Sequence, residues 1–473
     1  MRFLLFITLF VVLTHSAFGQ TCNCESNFEW VKKTFEENDA GFQSIIDKKG
    51  QAAYDKHNQI VLEKIKNAKT STECTELLYE WLKFFRLGHI AIEPLISEAS
   101  AISDAVTYET WKGDISQFTK YIGTKKEADY EGVWETEPYK IGIKKEGVNY
   151  IGFIIESGAE SWKQGMIKLK IEQTGNKMKS TFYMRNHTPV ESDNPELIGK
   201  NCLQIGLMVL KRLSPIFPSD ESSIDNYIKI IDAQKPYLEA LNATTLYLRI
   251  PTFNGEEKLA IDSVITANKD KILKTKNLII DLRNNGGGSD NSFSALLPFL
   301  YTNPVQTAGL EYLSTTHNNQ RFLDIAATAS DEKERQSFKE KYEKLQSRLS
   351  EFVNPYDNNM FTYRFDTVYE YPKNIGIIVN KGCASSTEQF LLEAKQSKKV
   401  KVFGTNTLGA IDISNMYLAE SPCKEFRLHY CLTRRLWLPE LTFDDIGLQP
   451  DFYLDKSIPK YKWVEFVDGI LNQ

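Results

Sequence analysis

The spacing of apolar residues divides the chain into three parts. From about residue 27 to 87, apolar side chains recur every three or four positions, as in FEWVKKTFEEN and CTELLYEWLKFF, which predicts amphipathic helices. From about 130 to 183, apolar and aromatic residues alternate with polar ones between Gly, Asn and Lys turns, which predicts short antiparallel strands. From about residue 200 onward, apolar strands and helical stretches alternate, which is typical of an α/β core.

The third part carries four apolar runs, TTLYLRIPTF, KNLIIDLR, NIGIIVN and KVKVFG. Helical stretches around 256–272, 290–300 and 386–397 lie between them, so we expect a mixed sheet that is partly parallel. The highly charged segment 330–353 predicts a solvent-facing helix inserted between two of the strands.

The predicted fold is therefore a multidomain α/β protein. We expect an N-terminal helical domain at 20–90, a β-rich accessory domain at 91–199 and an α/β core at 200–473. The chain has 473 residues, of which 42% are hydrophobic, and this is enough to bury several cores. The net charge is −5 without a basic block, so nucleic acid is not an expected partner.

The first residues, MRFLLFITLFVVLTHSAFGQ, have the form of a signal peptide. An apolar stretch too short to span a bilayer follows Arg2, and the small residues Ala17 and Gly19 stand where a cleavage site would be. The sequence predicts a signal peptide at 1–19, a mature start at Gln20 and a secreted or periplasmic protein. No later segment is apolar enough to predict a membrane span.

Seven cysteines occur in the chain, and export would permit disulfides. Cys423 and Cys431 flank a possible hairpin, and either Cys22 or Cys24 could pair with Cys74. The C-x-C spacing near the start has no His or Cys pair at zinc-like spacing beside it, so no metal site is predicted.

A serine stands where a predicted strand meets a predicted helix, in KGCASSTEQFLLEAKQ. Functional groups of α/β proteins gather at the carboxyl ends of strands, and a first-turn serine lies near unpaired backbone N–H groups and the helix dipole. Ser385 is therefore a candidate nucleophile. The segment from Ser385 to Glu388 also fits a capping box, and on this stretch alone the capping role is the simpler interpretation.

Two further segments carry candidate chemistry. In NLIIDLRNNGGGSDNSF, Gly286, Gly287 and Gly288 follow a buried strand, and their N–H groups can converge as an oxyanion hole, although such loops are often only turns. In RLGHIAIEP, His89 stands at the entry to a strand and is a candidate base, or else an ordinary surface histidine. His429 is the second candidate base.

Taken together and in this order, these segments resemble the tail-specific, or C-terminal processing, serine peptidases and their tricorn-like relatives. KGCASSTEQFLLEA is similar to the nucleophile segment of that family, in which a glutamate stands three positions after the serine, and this selects Ser385 over Ser386. NLIIDLRNNGGG resembles its glycine loop, LGHIAI the Asp-Gly-His segment of the histidine-using branch, and FDDIGLQPDFYL the terminal Gly-x-x-Pro-Asp element. The resemblance covers His89 and roughly residues 200–455.

The chain departs from the family pattern at three positions. Ala410 stands where the lysine-using branch has its base, which excludes a Ser-Lys mechanism at that position. Leu87 stands where an acid is common. Counted back from Gly447, the carboxylate that would orient the histidine is Asp444, where a glutamate is usual, with Asp445 as the alternative.

The resemblance implies a crotonase-like ββα core and a Ser385, His89, Asp444 mechanism without a cofactor or a metal. The oxyanion would be bound by the N–H groups of Gly287 and Ser386, or of Gly286 if the register differs. The substrate would be an extended or unfolded polypeptide, cleaved internally. Two alternatives stay open: a catalytically weakened protein that binds peptides or cell-wall material, motivated by Leu87 and Asp444, and an esterase.

Overall fold

The computed structural model describes residues 22–95 and 109–473, apart from 176, 186, 188, 194, 219 and 220. The predicted signal peptide, 1–19, lies outside the described residues. Within the described ranges, no helix has both the length and the apolar character needed to cross a bilayer.

The N-terminal part is helical, as predicted. Its elements are α1 (Cys24–Asn38), α2 (Phe42–Lys49), α3 (Gln51–Ile65), α4 (Ser71–Leu82) and the short strand β1 (Ala91–Pro94). Helix α1 is capped by Asn23, whose side chain accepts a hydrogen bond from Ser26 N at 2.8 Å, and α4 is capped by Thr70, whose hydroxyl accepts from Glu73 N. These caps satisfy N–H groups that the first helical turn leaves unpaired.

The β-rich part forms one antiparallel sheet of nine strands in the order β7-β6-β5-β4-β3-β2-β10-β9-β8. Its elements are α5 (Ile115–Gly123), β2 (Gly132–Thr136), β3 (Tyr139–Glu146), β4 (Asn149–Ser157), β5 (Ile167–Thr174), β6 (Lys177–Tyr183), β7 (Pro189–Asp193), β8 (Glu196–Ile198), β9 (Cys202–Ile205) and β10 (Met208–Ser214). The antiparallel arrangement was predicted. The sheet extends past residue 199, where the predicted β-rich part ends, because β9 and β10 continue it, and β1 belongs to a different sheet.

The remaining elements alternate between strands and helices. They are α6 (Ser222–Asp232), β11 (Tyr237–Ala240), β12 (Thr245–Arg249), α7 (Lys258–Ala267), α8 (Lys269–Ile272), β13 (Asn277–Asp281), α9 (Leu297–Leu300), β14 (Val305–Ala308), β15 (Leu310–Leu313), α10 (Thr316–Thr328), α11 (Glu332–Gln346), β16 (Phe352–Val353), β17 (Met360–Tyr363), β18 (Asn374–Val379), α12 (Ser386–Ala394), β19 (Val400–Gly404), β20 (Ile413–Glu420), β21 (Phe426–Arg435), β22 (Phe452–Tyr453) and α13 (Trp463–Leu471). Three short 3₁₀ helices join them, at Gly255–Glu257, Asp290–Phe293 and Lys460–Lys462.

A six-stranded sheet in the order β11-β12-β13-β18-β19-β22 is the centre of the α/β part. Its strands from β12 to β22 are parallel and β11 is an antiparallel edge, so the predicted mixed α/β class is confirmed. The four predicted apolar runs form β12, β13, β18 and β19. Because parallel strands end at the same edge, the glycine loop after β13 and the serine turn after β18 emerge side by side.

A buried ion-pair cluster fixes the carboxyl end of β13. Asp281 is fully buried, and its carboxylate accepts from Arg283 Nε at 3.0 Å, while Arg249 Nη1 lies 3.8 Å away. Burial alone would raise the pKa of Asp281, but the two guanidinium groups outweigh it and hold the pKa below its usual value. These residues stabilise the strand end from which the glycine loop departs.

The N-terminal helices share a hydrophobic core with a sheet built from later parts of the chain. Strand β1 pairs with β21 in a five-stranded sheet that also contains β15, β16 and β20. Phe35 and Trp81 of the helices lie in the same hydrophobic cluster as Leu428 and Tyr430 of β21. The predicted boundary at residue 90 therefore cuts through one core, because the apolar faces of the helices are covered by this sheet.

The charged helix predicted at 330–353 is α11, which is shorter and buries one residue completely, Leu345.

Two disulfides link the N-terminal part, Cys22–Cys423 and Cys24–Cys74. The predicted Cys24–Cys74 alternative is confirmed. The Cys423–Cys431 pairing is wrong, because Cys431 is a buried free thiol within β21, opposite Met416 in the register with β20.

We expect loss of the Cys22–Cys423 disulfide to destabilise the protein. In the double variant Cys22→Ala/Cys423→Ala the unfolded chain gains conformational freedom, and the free energy of unfolding should fall by about 2 to 5 kcal/mol. Thermal unfolding with and without reductant measures this. The matched control is Cys24→Ala/Cys74→Ala, which opens a link with a sequence separation of 50 instead of 401. Equal stability of wild type and Cys22→Ala/Cys423→Ala under oxidising conditions would contradict the expectation.

Candidate active site

Ser385 lies in a strained turn between β18 and α12. Its backbone has φ of 57° and ψ of −122°, a conformation that L-residues seldom adopt and that costs about 1 to 3 kcal/mol. The turn begins with a hydrogen bond from Cys383 N to Asn380 O at 2.9 Å. It leaves the half-buried Ser385 at the first turn of the helix, as predicted.

The buried carboxylate of Glu388 holds this turn in place. Glu388 Oε2 accepts from Ser385 N at 2.9 Å and from Ala410 N at 2.8 Å. Its Oε1 accepts from Gly409 N at 2.8 Å and from the Thr407 hydroxyl. Burial raises the pKa of Glu388, and these four donors oppose that effect. The glutamate of the predicted capping box thus also ties the nucleophile to the 407–410 loop.

His89 is held by a backbone carbonyl. Its Nδ1 lies 2.8 Å from Ile413 O, and a carbonyl oxygen only accepts hydrogen bonds, so Nδ1 carries the proton and Nε2 presents a lone pair. Burial lowers the pKa of His89, the Ile413 carbonyl raises it, and the charge of Arg86 lowers it again, with a net decrease. The imidazole is neutral near pH 7 and its Nε2 is ready to accept a proton.

The 407–410 loop brings the histidine segment and the serine turn together. A Cβ placed on Gly88 would lie 2.5 Å from Ala410 Cβ, so the two backbones are in close contact there. Ala410 N shares the Glu388 oxygen with Ser385 N. The small side chains of Gly88 and Ala410 therefore let the two segments approach closely.

The hydrogen bond that would carry the proton from Ser385 Oγ to His89 Nε2 is not formed between these described residues in this conformation. Among the hydrogen bonds of the described residues, none joins His89 Nε2 to Ser385 Oγ. Catalytic hydrogen bonds are often long in unliganded enzymes and tighten when substrate binds. The second candidate base, His429, has a different partner, because its Nε2 lies 3.4 Å from the Glu93 carboxylate of β1.

Among the hydrogen bonds of the described residues, none joins Asp444 to the imidazole of His89, where a direct contact was predicted. Asp444 Oδ1 accepts from Ile411 N and Asp412 N, both at 2.8 Å, and its Oδ2 accepts from Ile413 N at 3.2 Å. The carboxylate is therefore occupied by backbone amides, and its connection to His89 runs through residue Ile413, whose N–H donates to Asp444 and whose carbonyl contacts the imidazole. Burial and the charge of Asp412 raise the pKa of Asp444 to about 7.

Asp445, the alternative, does not contact the imidazole either. Its Oδ1 accepts from Leu87 N at 2.8 Å, and its own N–H donates to Gly409 O at 3.0 Å. Asp445 thus fixes the backbone of the histidine segment to the 407–410 loop. Leu87, where an acid was expected by resemblance, is half-exposed and contributes its backbone N–H.

The glycine loop approaches Ser385 closely, but the predicted donor is already occupied. Gly287 has φ of +94°, and an added Cβ would lie 2.8 Å from Ser385 Cβ, so only glycine fits here. Its N–H donates to Asn285 Oδ1 at 3.0 Å, which corrects its assignment to the oxyanion hole. Within the described residues, the N–H groups of Gly286 and Ser386 have no acceptor, and these two remain candidate oxyanion donors.

Sequence reasoning missed three groups in this site. Ile413 acts through its carbonyl oxygen and Asn285 through its side-chain oxygen, and no residue pattern distinguishes either one. Glu388 was visible as a capping residue, but its bonds to the 407–410 loop were not.

A serine on a strained strand-to-helix turn, a neutral histidine with an open Nε2 and unpaired amides beside the serine are the parts of a serine-type hydrolase. Residues 244–453 match the family model described as Peptidase family S41. This part of the chain belongs to that family, and the protein is a serine-type peptidase by class. The matched region contains the glycine loop, Ser385 and Asp444, whereas His89 lies outside it.

Two solved structures with TM-scores above 0.5 have a similar fold. Mature CPAF aligns with a TM-score of 0.51 and 12% identity over 95% of this chain and 96% of that chain. Its complex with lactacystin aligns with the same score and identity over 95% of this chain and 97% of that one. A putative peptidase from Parabacteroides merdae aligns with a TM-score of 0.43 and 14% identity over 96% and 98% of the two chains. No curated protein matches the chain.

We expect Gly88→Ala to impair catalysis by pushing the histidine segment away from Ala410. The new Cβ meets Ala410 Cβ at 2.5 Å, which real structures do not tolerate, so kcat should fall by about tenfold or more, equivalent to at least ~1.4 kcal/mol. Steady-state peptidase kinetics measure this. Gly123→Ala is the control, because nothing lies within 4 Å of a Cβ there. An unchanged kcat in a folded Gly88→Ala protein would contradict the described contact.

We expect Asp444→Asn to reduce activity more than Asp445→Asn. An amide at Asp444 can keep the two bonds at Oδ1 but sets an NH₂ group against Ile413 N–H, and such a mismatch costs about 1 to 3 kcal/mol. Displacement of Ile413 moves the carbonyl that holds His89. At Asp445 an amide can still accept from Leu87 N. Comparing kcat of the two variants, with melting temperature as the folding control, decides the order, and a larger loss at Asp445 would reverse our assignment.

Proposed function

We propose that this protein is an exported serine endopeptidase that cleaves extended or unfolded polypeptides, with Ser385 as nucleophile and His89 as base. The observation that carries the proposal is the tautomer of His89. Its proton lies on Nδ1 toward Ile413 O, so Nε2 is the acceptor, and the 407–410 loop joins the histidine segment to the Ser385 turn.

The proposed reaction begins with attack of Ser385 Oγ on a peptide carbonyl while His89 Nε2 takes the hydroxyl proton. The imidazolium then donates from Nδ1 to the carbonyl of Ile413, a residue whose N–H is bound by Asp444. The N–H groups of Gly286 and Ser386 bind the oxyanion, and each such donor is worth about 3 kcal/mol of the barrier. His89 next gives its proton to the leaving amine, and water hydrolyses the acyl-enzyme by the same route.

The disulfides and the first residues support export, whereas the motifs support the substrate class. Disulfides form and persist in oxidising compartments, so Cys22–Cys423 and Cys24–Cys74 support export together with the signal-like first residues. The resemblance of the motifs to those of the tail-specific peptidases supports extended polypeptides as substrates and cleavage at internal peptide bonds of the substrate.

A second candidate function is a protein that binds peptides or cell-wall material without cleaving them. The hydrogen bond from Gly287 N to Asn285 Oδ1 favours it, because this amide cannot serve the oxyanion while that bond exists. An esterase would use the same tetrahedral intermediate, so only a panel of peptide and ester substrates separates it from a peptidase.

We expect the activity to depend on Ser385 and His89. Ser385→Ala and His89→Ala should each lower the rate of casein hydrolysis by at least about 10³-fold, and Ser385→Ala should abolish labelling by a fluorescent organophosphonate. His429→Ala is the matched control and should retain activity, because its imidazole faces Glu93.

Equal activity of the wild type, Ser385→Ala and His89→Ala would sink the peptidase assignment. Peptide binding without turnover by the wild type would favour the binding protein. Turnover of esters alone would favour the esterase.

A further inference from the structure

The backbone of His89 is held in an unusual conformation from its carbonyl side. His89 has a φ of +56°, which non-glycine residues rarely adopt. Its carbonyl oxygen receives two donors, Arg86 Nη2 at 3.2 Å and Cys431 Sγ at 3.3 Å. Ile413 O holds the imidazole, and Arg86 and Cys431 hold the carbonyl oxygen of His89. The orientation of the ring therefore depends on both sets of contacts.

Arg86 is itself fixed by a carboxylate at the end of helix α1. Its guanidinium forms a paired contact with Asp39, with Nη1 to Oδ1 at 2.8 Å and Nη2 to Oδ2. Asp39 is 2% exposed and also accepts from Gly41 N at 2.9 Å and Cys431 N at 3.0 Å. A planar guanidinium that is bound through both Nη1 and Nη2 has one orientation. The further contact of Nη2 with His89 O is therefore fixed as well.

We propose that Arg86 is a positioning residue for the base His89, and that the N-terminal helices, acting through Asp39, are part of the active centre. This inference rests on the proposed function, because it assigns a role in orienting the base. It also assigns to the first helices a task besides covering the five-stranded sheet.

The charges around His89 make the role measurable. The 86–89 segment contributes Arg86, α1 contributes Asp39, β21 contributes the Cys431 thiol, and the 444–445 turn contributes Asp444 behind the Ile413 peptide. Burial raises the pKa of the Cys431 thiol far above neutrality, so it stays a neutral donor. Arg86 is a fixed charge in contact with His89 O, and it lowers the pKa of His89 in addition to the effect of burial.

The test is the double variant Asp39→Asn/Arg86→Met, which removes both charges and leaves neither partner buried alone. We expect kcat to fall by about tenfold or more with KM little changed, because the base is misplaced while substrate contacts are kept. The acid limb of the kcat/KM profile should move to higher pH, because the lost Arg86 charge contacts His89 O and lowers the pKa of His89, whereas the lost Asp39 charge contacts Arg86. Lys64→Met/Glu80→Gln, an exposed ion pair of the same helices, is the control and should leave both readouts unchanged.

A readout without turnover separates this inference from the proposed function. In the Ser385→Ala background, NMR titration of the histidine rings should show a higher His89 pKa when Asp39→Asn/Arg86→Met is added. Six histidines are in the chain, so His89→Ala assigns the signal. An unchanged titration and an unchanged kcat would overturn the role of Arg86 even if Ser385 and His89 prove essential.

A third variant covers failure of the double variant to fold. Arg86→Lys keeps the charge but cannot form the paired contact with Asp39 and reach His89 O together. We expect it to keep the acid limb of the wild type and to lower kcat several-fold. Wild-type kcat in Arg86→Lys would overturn the inference, and loss of activity in His89→Ala but not in the Arg86 variants would leave the peptidase assignment intact.

Discussion

The active centre depends on one buried carboxylate, that of Glu388. Removing such a group from water is costly unless its oxygens are satisfied, and here four donors surround it, three backbone amides and a hydroxyl. Charge-assisted bonds of this kind are stronger than neutral ones. They hold Ser385 in a strained turn and fix the loop on which the histidine segment rests, so a single side chain positions two chain segments distant in sequence.

The second feature is that a carbonyl replaces a carboxylate beside the base. A carboxylate next to an imidazole would raise its pKa and stabilise the imidazolium by full charge attraction. The Ile413 carbonyl supplies only a dipole, so His89 stays a weak base, and burial with Arg86 weakens it further. The carboxyl groups of Asp444 and Asp445 accept hydrogen bonds from backbone amides, so both support the backbone around the ring instead of contacting the ring directly.

The sequence predicted the elements whose physics is local. The parallel strands were visible as apolar runs, and the serine and histidine were visible because each stands at a strand boundary in a distinctive segment. Gly447 of the terminal element was matched by resemblance, and the structure shows its reason: an added Cβ would lie 2.1 Å from Thr407 O. This close contact packs the terminal element against the 407–410 loop.

Two kinds of contact could not be predicted from the sequence. The first kind involves backbone groups, which every residue has, and the second depends on how distant parts of the chain pack. The Ile413 carbonyl has no signature, and the Asn285 side chain that takes the Gly287 amide was indistinguishable from an ordinary turn residue. The shared core of helices and sheet was missed because amphipathic helices do not reveal which surface covers them.

The Cys22–Cys423 link has a further consequence. It closes nearly the whole chain into a covalent ring, so a protease nick anywhere between those positions would leave the two fragments attached and migrating as one until reductant is added.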